Sequence, residues 1–289
     1  GFAIGQLFYG PLADSFGRKP VILAGLTMFA VASVGCAMAD SLPELLAWRM
    51  LQAAGGAAGS VVVNALLRDL FEKMPSTVRA AVIDGDGPHF CAGLDLSELK
   101  ERDAGQGLHH SRMWHAALER VQYGPVPVIA ALHGAVVGGG LELASACHIR
   151  VADESTFYAL PEGSRGIFVG GGGAVRIPKL IGAARMTDMM LTGRVYNAQD
   201  GEKAGFAQYL VPEGQAFDKA LELAVRVAQN APLTNYALMH ALPRISEQPA
   251  DQGFFTEAMM AAIAQSAPEA KARLADFLEG RAAKVKPSP

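Results

Sequence analysis

The sequence predicts an α/β domain preceded by an α-helical segment of membrane type, and three observations carry that prediction. Charge is unevenly spread: residues 1–67 hold six charged side chains (Asp14, Arg18, Lys19, Asp40, Glu44 and Arg49), and the other 222 of the 289 residues hold forty-seven, a density normal for a soluble domain. Within the first block, Val21–Ala39 runs for 19 residues without a charge, close to the ~20 that cross a bilayer core as a helix. From Val78 onward, short β-type runs alternate with glycine turns and helical patterns, the order that indicates an α/β architecture.

Bulk properties narrow the function classes. A net charge of −3 gives no electrostatic reason to bind nucleic acid or an anionic membrane surface. Cys36, Cys91 and Cys147 form no CxxC pair and are odd in number, which argues for a reducing compartment and a cytoplasmic location for the charged block. The chain opens without a basic leader, in mid-pattern, as though continuing a longer sequence.

In chain order, the uncharged run predicts a helix over about 21–39. "DSLPE" at 40–44 makes a polar turn, and a second helix follows over about 45–70, with "AAGGAAGS" supplying small residues that let helices approach closely. A pair of buried helices in a larger soluble protein is the alternative. The preceding loop, "GPLADSFGRKP", carries Gly10, Asp14, Gly17, Arg18 and Lys19 in the pattern G-x-x-x-D-x-x-G-R-K. It resembles the loop signature of the major facilitator superfamily, and "RMLQAAGGAAG" from Arg49 and "RDLF" at 68–71 resemble its next helix and its drug-resistance branch. That resemblance, over residues 1 to about 71, implies insertion in an inner membrane with Arg18 and Lys19 on the cytoplasmic side. Two spans enclose no substrate pathway, so this piece transports nothing alone.

The second block reads differently. "VRAAVIDG" (78–85) is a short strand ending in a turn, "GPHFCAGLDLSELKE" (87–101) runs from turn to helix, "PVPVIAALHGAVVGGGLELASAC" (125–147) is strand, glycine turn and helix, and "HIRVADESTFYALPE" (148–162) adds two strands. The stretches "FCAGLDL", "HGAVVGGGLELASACHIRVA", "FYALPEGSRGIFVGGGGAVRIPKLIG" and "LTGRVYNAQDGEKAGF", in this order and spacing, resemble the crotonase superfamily of enoyl-CoA hydratases and isomerases. The likeness runs from about residue 65 to the end, where "APEAKARLADFLEGR" is similar to the family's last helices but lacks their usual Glu-Gly pair. It implies a ββα spiral and an acyl-CoA thioester substrate, with coenzyme A as part of the substrate and no separate cofactor or metal. It also implies homotrimers or hexamers, for which the apolar "FFTEAMMAAIA" from Phe254 offers a helix face.

The residues support that chemistry. A thioester carbonyl becomes enolate-like when the neighbouring carbon gains or loses a proton, and preorganised backbone N–H groups stabilise the negative oxygen. Glycine turns leading into helices supply such groups. Ala92-Gly93-Leu94, followed by Asp95, and Gly138-Gly139-Gly140 are the two candidates; either alone reads as a tight turn. By resemblance the donors are the amides of Leu94 and Gly139, with Ala92, Gly93, Asp95, Gly138 and Gly140 lining the substrate. Glu142 follows Gly139 by one helical turn, so its side chain can face the same cavity. Glu162 follows Pro161 at a strand end. Taken alone, a glutamate at a helix start is a dipole or capping residue. The resemblance implies that Glu142 activates water at C3 and Glu162 handles the proton at C2.

Other candidates carry less. "GGGG" at 170–173 lacks the Lys-Ser/Thr of a P-loop and reads as the close-packed start of a helix. "HHSRMWH" (109–115) has no metal-binding spacing and reads as a solvated loop and helix start. Met113 and Trp114 suit an acyl pocket better than a cofactor, and Cys91 and Cys147 are not expected nucleophiles. At the junction, "ALLRDLF" fits both a transporter helix and the helix leading into a crotonase strand. The chain therefore reads as a composite of 1–67 and 68–289, the second part lacking the strands that usually open such a domain. A membrane protein carrying the enzyme block as a passenger is the second reading.

Overall fold

In a computed structural model, residues 18–55, 74–95 and 103–282 are described. The chain divides into two compact units, Gly1–Lys73 and Met74–Pro289. In the first, helix α1 spans Arg18–Met38 and a second helix, α2, covers 42–55. Ser41 starts α2 by accepting from the Glu44 amide through Oγ (3.4 Å), as its place one residue before the helix demands. The two helices meet at glycines. A β-carbon on Gly35 would lie 2.3 Å from the Trp48 ring, and one on Gly55 would lie 2.7 Å from the Phe29 nitrogen.

The expectation of a membrane-spanning segment in 1–67 is not upheld. Among the described residues no helix is long and apolar enough to cross a membrane. In α1, Ser33 serves the helix pair by accepting from Gln52 Nε2 at 2.8 Å. The loop motif at 10–17 and the junction at 64–73 lie outside the described residues, as does the helix expected within 96–102.

In the second unit the chain alternates between two sheets. Strands β1 (Ala81–Ile83), β2 (Val128–Leu132), β4 (Ile149–Asp153) and β7 (Tyr209–Val211) form a parallel sheet in that order. Strands β3 (Ala135–Val137), β5 (Phe157–Ala159) and β6 (Tyr196–Asn197) form the other, with β3 and β5 parallel and β6 antiparallel. Each of two short corners passes the chain from the first sheet to the second. His133-Gly134 joins β2 to β3, and Glu154-Ser155-Thr156 joins β4 to β5. One network holds both: Asp153 Oδ1 accepts from the Ser155 amide (3.0 Å) and hydroxyl (2.6 Å), while the Gly134 amide donates to Ser155 Oγ (3.0 Å). Thr156 Oγ1 closes the corner by donating to the Leu132 carbonyl (3.0 Å). This strand, strand, helix repeat is the ββα step of a crotonase-like fold.

Helices cover the sheets because their apolar positions recur at helical spacing. In the helix Ala216–Ala228, Ala216, Ala220, Leu223 and Ala224 are buried against Ile129, Ala131 and Val151 of β2 and β4. Helix α3 (Ala104–Gln122) buries Ala117, Leu118 and Val121. It begins earlier than expected. Asp103 and Gln106 form a reciprocal capping box, Asp103 Oδ1 accepting from the Gln106 amide at 2.8 Å, so "HHSRMWH" lies within the helix rather than in a loop at its start. The four-glycine run does start a helix, α5 (Gly173–Ile181), capped by Gly172 at φ 96°. The last two long helices, Ala250–Ser266 and Pro268–Leu278, bury little; Phe254, Phe255 and Met259 are exposed on the first of them.

Candidate active site

The site grows from the corner at β3. Residues 90–94 run beside it: the Cys91 amide donates to the Ala135 carbonyl (3.0 Å) and the Val137 amide donates to the Cys91 carbonyl (3.1 Å). β3 then turns through Gly138, at φ 53°, into helix α4 (Gly139–Ala146). The two glycine turns predicted from sequence are thereby packed face to face. A β-carbon on Gly93 would stand 3.0 Å from the Val137 carbonyl and 3.6 Å from the Gly139 nitrogen; one on Gly139 would stand 3.7 Å from the Leu94 nitrogen. Gly140 is as confined, its missing β-carbon only 2.2 Å from the Cys91 carbonyl. Side chains at these positions would separate the turns. The Gly139 amide is the first of α4 and has no acceptor within the helix. Ala92 and Asp95 lie at the exposed rim of the 90–95 turn.

Both glutamates meet this place. Glu142, in the first turn of α4, is buried at 6% exposure, and its Oε1 accepts from the amides of Gly171 (2.7 Å) and Gly173 (2.8 Å). Burial pushes its carboxyl above the usual range, while the two amides, Arg176 and His115 pull the other way. Glu162 follows β5 and opens a short 3-10 turn over Gly163–Arg165. It is buried at 8%, with an Oε2 that has no hydrogen-bond partner, and a β-carbon on Gly138 would lie 2.8 Å from its Oε1. Burial raises its pKa as well, and the charge of Glu142 raises it further. The two carboxyls thus sit at one helix N-terminus in different surroundings. One is braced by N–H donors of a distant loop, which favour ionisation; the other keeps its Oε2 buried without a partner, which favours holding a proton, while its own amide and Arg165 pull the other way.

Sequence reasoning missed what braces Glu142. The 170–173 loop does more than open a helix: its amides hold the carboxylate, and Arg176 clamps the loop, Nη1 donating to the Gly171 carbonyl (3.1 Å) and Nε to Gln122 Oε1 (2.7 Å). The available signal was four successive glycines before a helix. Cys147 is buried and its thiol is pushed up to about 12 by burial, which leaves it protonated and unreactive at neutral pH. No group of three or more His, Cys, Asp or Glu able to hold a metal ion occurs among the described residues.

The sequence profile of the enoyl-CoA hydratase/isomerase family matches residues 64–287, and that of the Major Facilitator Superfamily matches residues 1–80. The two overlap in the stretch that reads both ways. The 2,3-dehydroadipyl-CoA hydratase of Escherichia coli K12 is 31% identical over 232 residues, covering 78% of this chain and 89% of that protein. The fatty acid oxidation complex subunit alpha of Shewanella amazonensis is 38% identical over 167 residues, and there the chain spans only 23% of the relative's length. Among solved structures, a protein from Rhodopseudomonas palustris CGA009 assigned to the enoyl-CoA hydratases is 61% identical. It covers 75% of this chain and 84% of its own with a TM-score of 0.73. An enoyl-CoA hydratase from Bacillus anthracis is 30% identical with a TM-score of 0.71, over 76% of this chain and 87% of its own. With the profile matched over most of its length and the fold shared with those structures, the chain belongs to the enoyl-CoA hydratase/isomerase family.

Proposed function

We propose that the enzyme adds water across the double bond of a 2-enoyl-CoA thioester. The carrying observation is the pair of buried, differently braced carboxyls beside two converging backbone turns. In this reading the Leu94 and Gly139 amides donate to the thioester oxygen and stabilise the enolate that forms there. Ionised Glu142 takes a proton from water as the water oxygen bonds to C3. Neutral Glu162 gives its proton to C2 as the enolate collapses. The proton left on Glu142 then returns to Glu162, and the site is reset with water consumed and nothing else. Ala92, Gly93, Asp95, Gly138 and Gly140 shape the backbone around the bound acyl group. No cofactor is required beyond the coenzyme A carried by the substrate, and the exposed apolar helices at 250–278 are covered by further copies of the chain in a trimer or hexamer.

The test is hydration of crotonyl-CoA, followed by loss of its enoyl absorbance. Glu142→Gln and Glu162→Gln should each slow turnover by ~10²–10⁴, with thioester affinity nearly unchanged. The double variant should lose less than the product of the two, because both groups serve one reaction. Double-bond migration is the second reading, favoured by the ability of Glu162 alone to take a proton from C2 and deliver it to C4. It wins if Glu142→Gln keeps migrating a double bond while Glu162→Gln does not. If neither substitution slows either reaction, the likeness is one of fold alone.

A further inference from the structure

We propose that Ser111, on helix α3, is a positioning residue for Glu142, acting through the peptide unit between Gly170 and Gly171. Its hydroxyl donates to the Gly170 carbonyl at 2.6 Å. The N–H at the other end of that same peptide unit, on Gly171, donates to Glu142 Oε1 at 2.7 Å. A peptide unit is planar and trans, so its C=O and N–H point in opposite directions, and no cis peptide bond interrupts the described chain. Aiming the carbonyl at Ser111 therefore aims the N–H at the carboxylate.

The loop needs such an anchor. Four successive glycines have no side chains to wedge them in place and lose the most backbone freedom when ordered. Two grips from outside the run compensate: Ser111 on the Gly170 carbonyl and Arg176 on the Gly171 carbonyl, at 3.1 Å. Arg176 is itself held by Gln122, eleven residues along α3 from Ser111. One helix thus supports the loop at both places. His115, one turn beyond Ser111, brings Nε2 to 3.4 Å from its hydroxyl oxygen.

The inference rests on the reading of Glu142 as the base that activates water, and the experiment separates the two. Crotonyl-CoA hydration is measured against pH for the full chain and for its Ser111→Ala, Ser111→Thr and Glu142→Gln variants. With its amide donor no longer aimed, the carboxylate should be misplaced and harder to ionise. Ser111→Ala should then lower kcat about ten- to a hundredfold, the scale for support lost around a positioned group, with KM within about twofold. The acid limb of the kcat profile should move to higher pH, and Ser111→Thr, which keeps the hydroxyl, should restore both. The charged and titratable groups facing Glu142, namely His115, Arg176 and Glu162, are unchanged in these variants. So are Glu119 and Tyr123, which face Arg176. A merely structural role would lower the melting temperature without moving the limb. If Glu142→Gln is inactive and Ser111→Ala keeps the wild-type kcat and acid limb, the positioning role is overturned. If Glu142→Gln stays active, the base assignment falls, and the positioning role falls with it.

Discussion

Glu162→Gln should make the folded protein more stable at neutral pH, and the gain should fade in acid. Glu162 is 8% exposed, its Oε2 has no partner, and the neighbouring carboxyl of Glu142 opposes its charge. A buried polar group left unsatisfied costs ~1–3 kcal/mol. Glutamine is neutral at every pH and so avoids the cost of protonating or ionising a buried carboxyl, but it still presents a polar atom at that place, so about 1–2 kcal/mol should be recovered, roughly 2–8 °C in melting temperature for a domain of this size. The sign follows from linkage. With the folded-state pKa raised above the ordinary 4.5, the stability contributed by the neutral carboxyl is fully present below that value. It is lost as pH rises through the folded-state value. The wild type therefore weakens relative to the variant across that window. Thermal melts of both proteins at pH 4 and pH 8 decide the matter. They should nearly coincide at pH 4, and the variant should melt higher at pH 8. An offset that is the same at both pH values, or a variant less stable at pH 8, refutes the reasoning.

Two further outcomes are expected. Gly173→Ala places a β-carbon 2.8 Å from Glu142 Oε1 and 2.9 Å from its Cγ; it should displace the carboxylate and cut hydration by about 10², with an unchanged far-ultraviolet circular dichroism spectrum. Phe254→Asp with Phe255→Asp puts charge where two phenylalanines are about 70% exposed. In light scattering it should shift the protein toward smaller species, and an unchanged mass would argue that these helices are not the assembly surface.

Much of the second unit was legible in the sequence, since its elements are local. The β-type runs around Ala81, Val128, Ile149 and Phe157 became strands, and the glycine turn before Leu141 became a helix start, as hydrophobic pattern and turn chemistry require. The start of α3 was misjudged because the capping box at Asp103 and Gln106 lies in polar sequence with no apolar period to announce it. The membrane expectation rested on the resemblance of residues 1 to about 71 to the major facilitator superfamily and on an uncharged run. Such a run marks apolar composition, and here it became a helix whose glycines and serine meet a second helix.

By itself the sequence determined which residues could form the site. Glu142 stands one turn into a glycine-led helix, Glu162 stands beyond the next strand, and two glycine turns offer amides. Each is a statement about neighbours in the chain. Only the tertiary structure decided how those groups differ. The amides of Gly171 and Gly173, 29 and 31 residues from Glu142, brace one carboxylate; nothing braces the Oε2 of the other; and Ser111, 59 residues from Gly170, aims one of the bracing amides. The physical reason is that ionisation depends on desolvation and on donors within hydrogen-bond reach. Those are set by which distant segments fold against a side chain, and chain order does not record them.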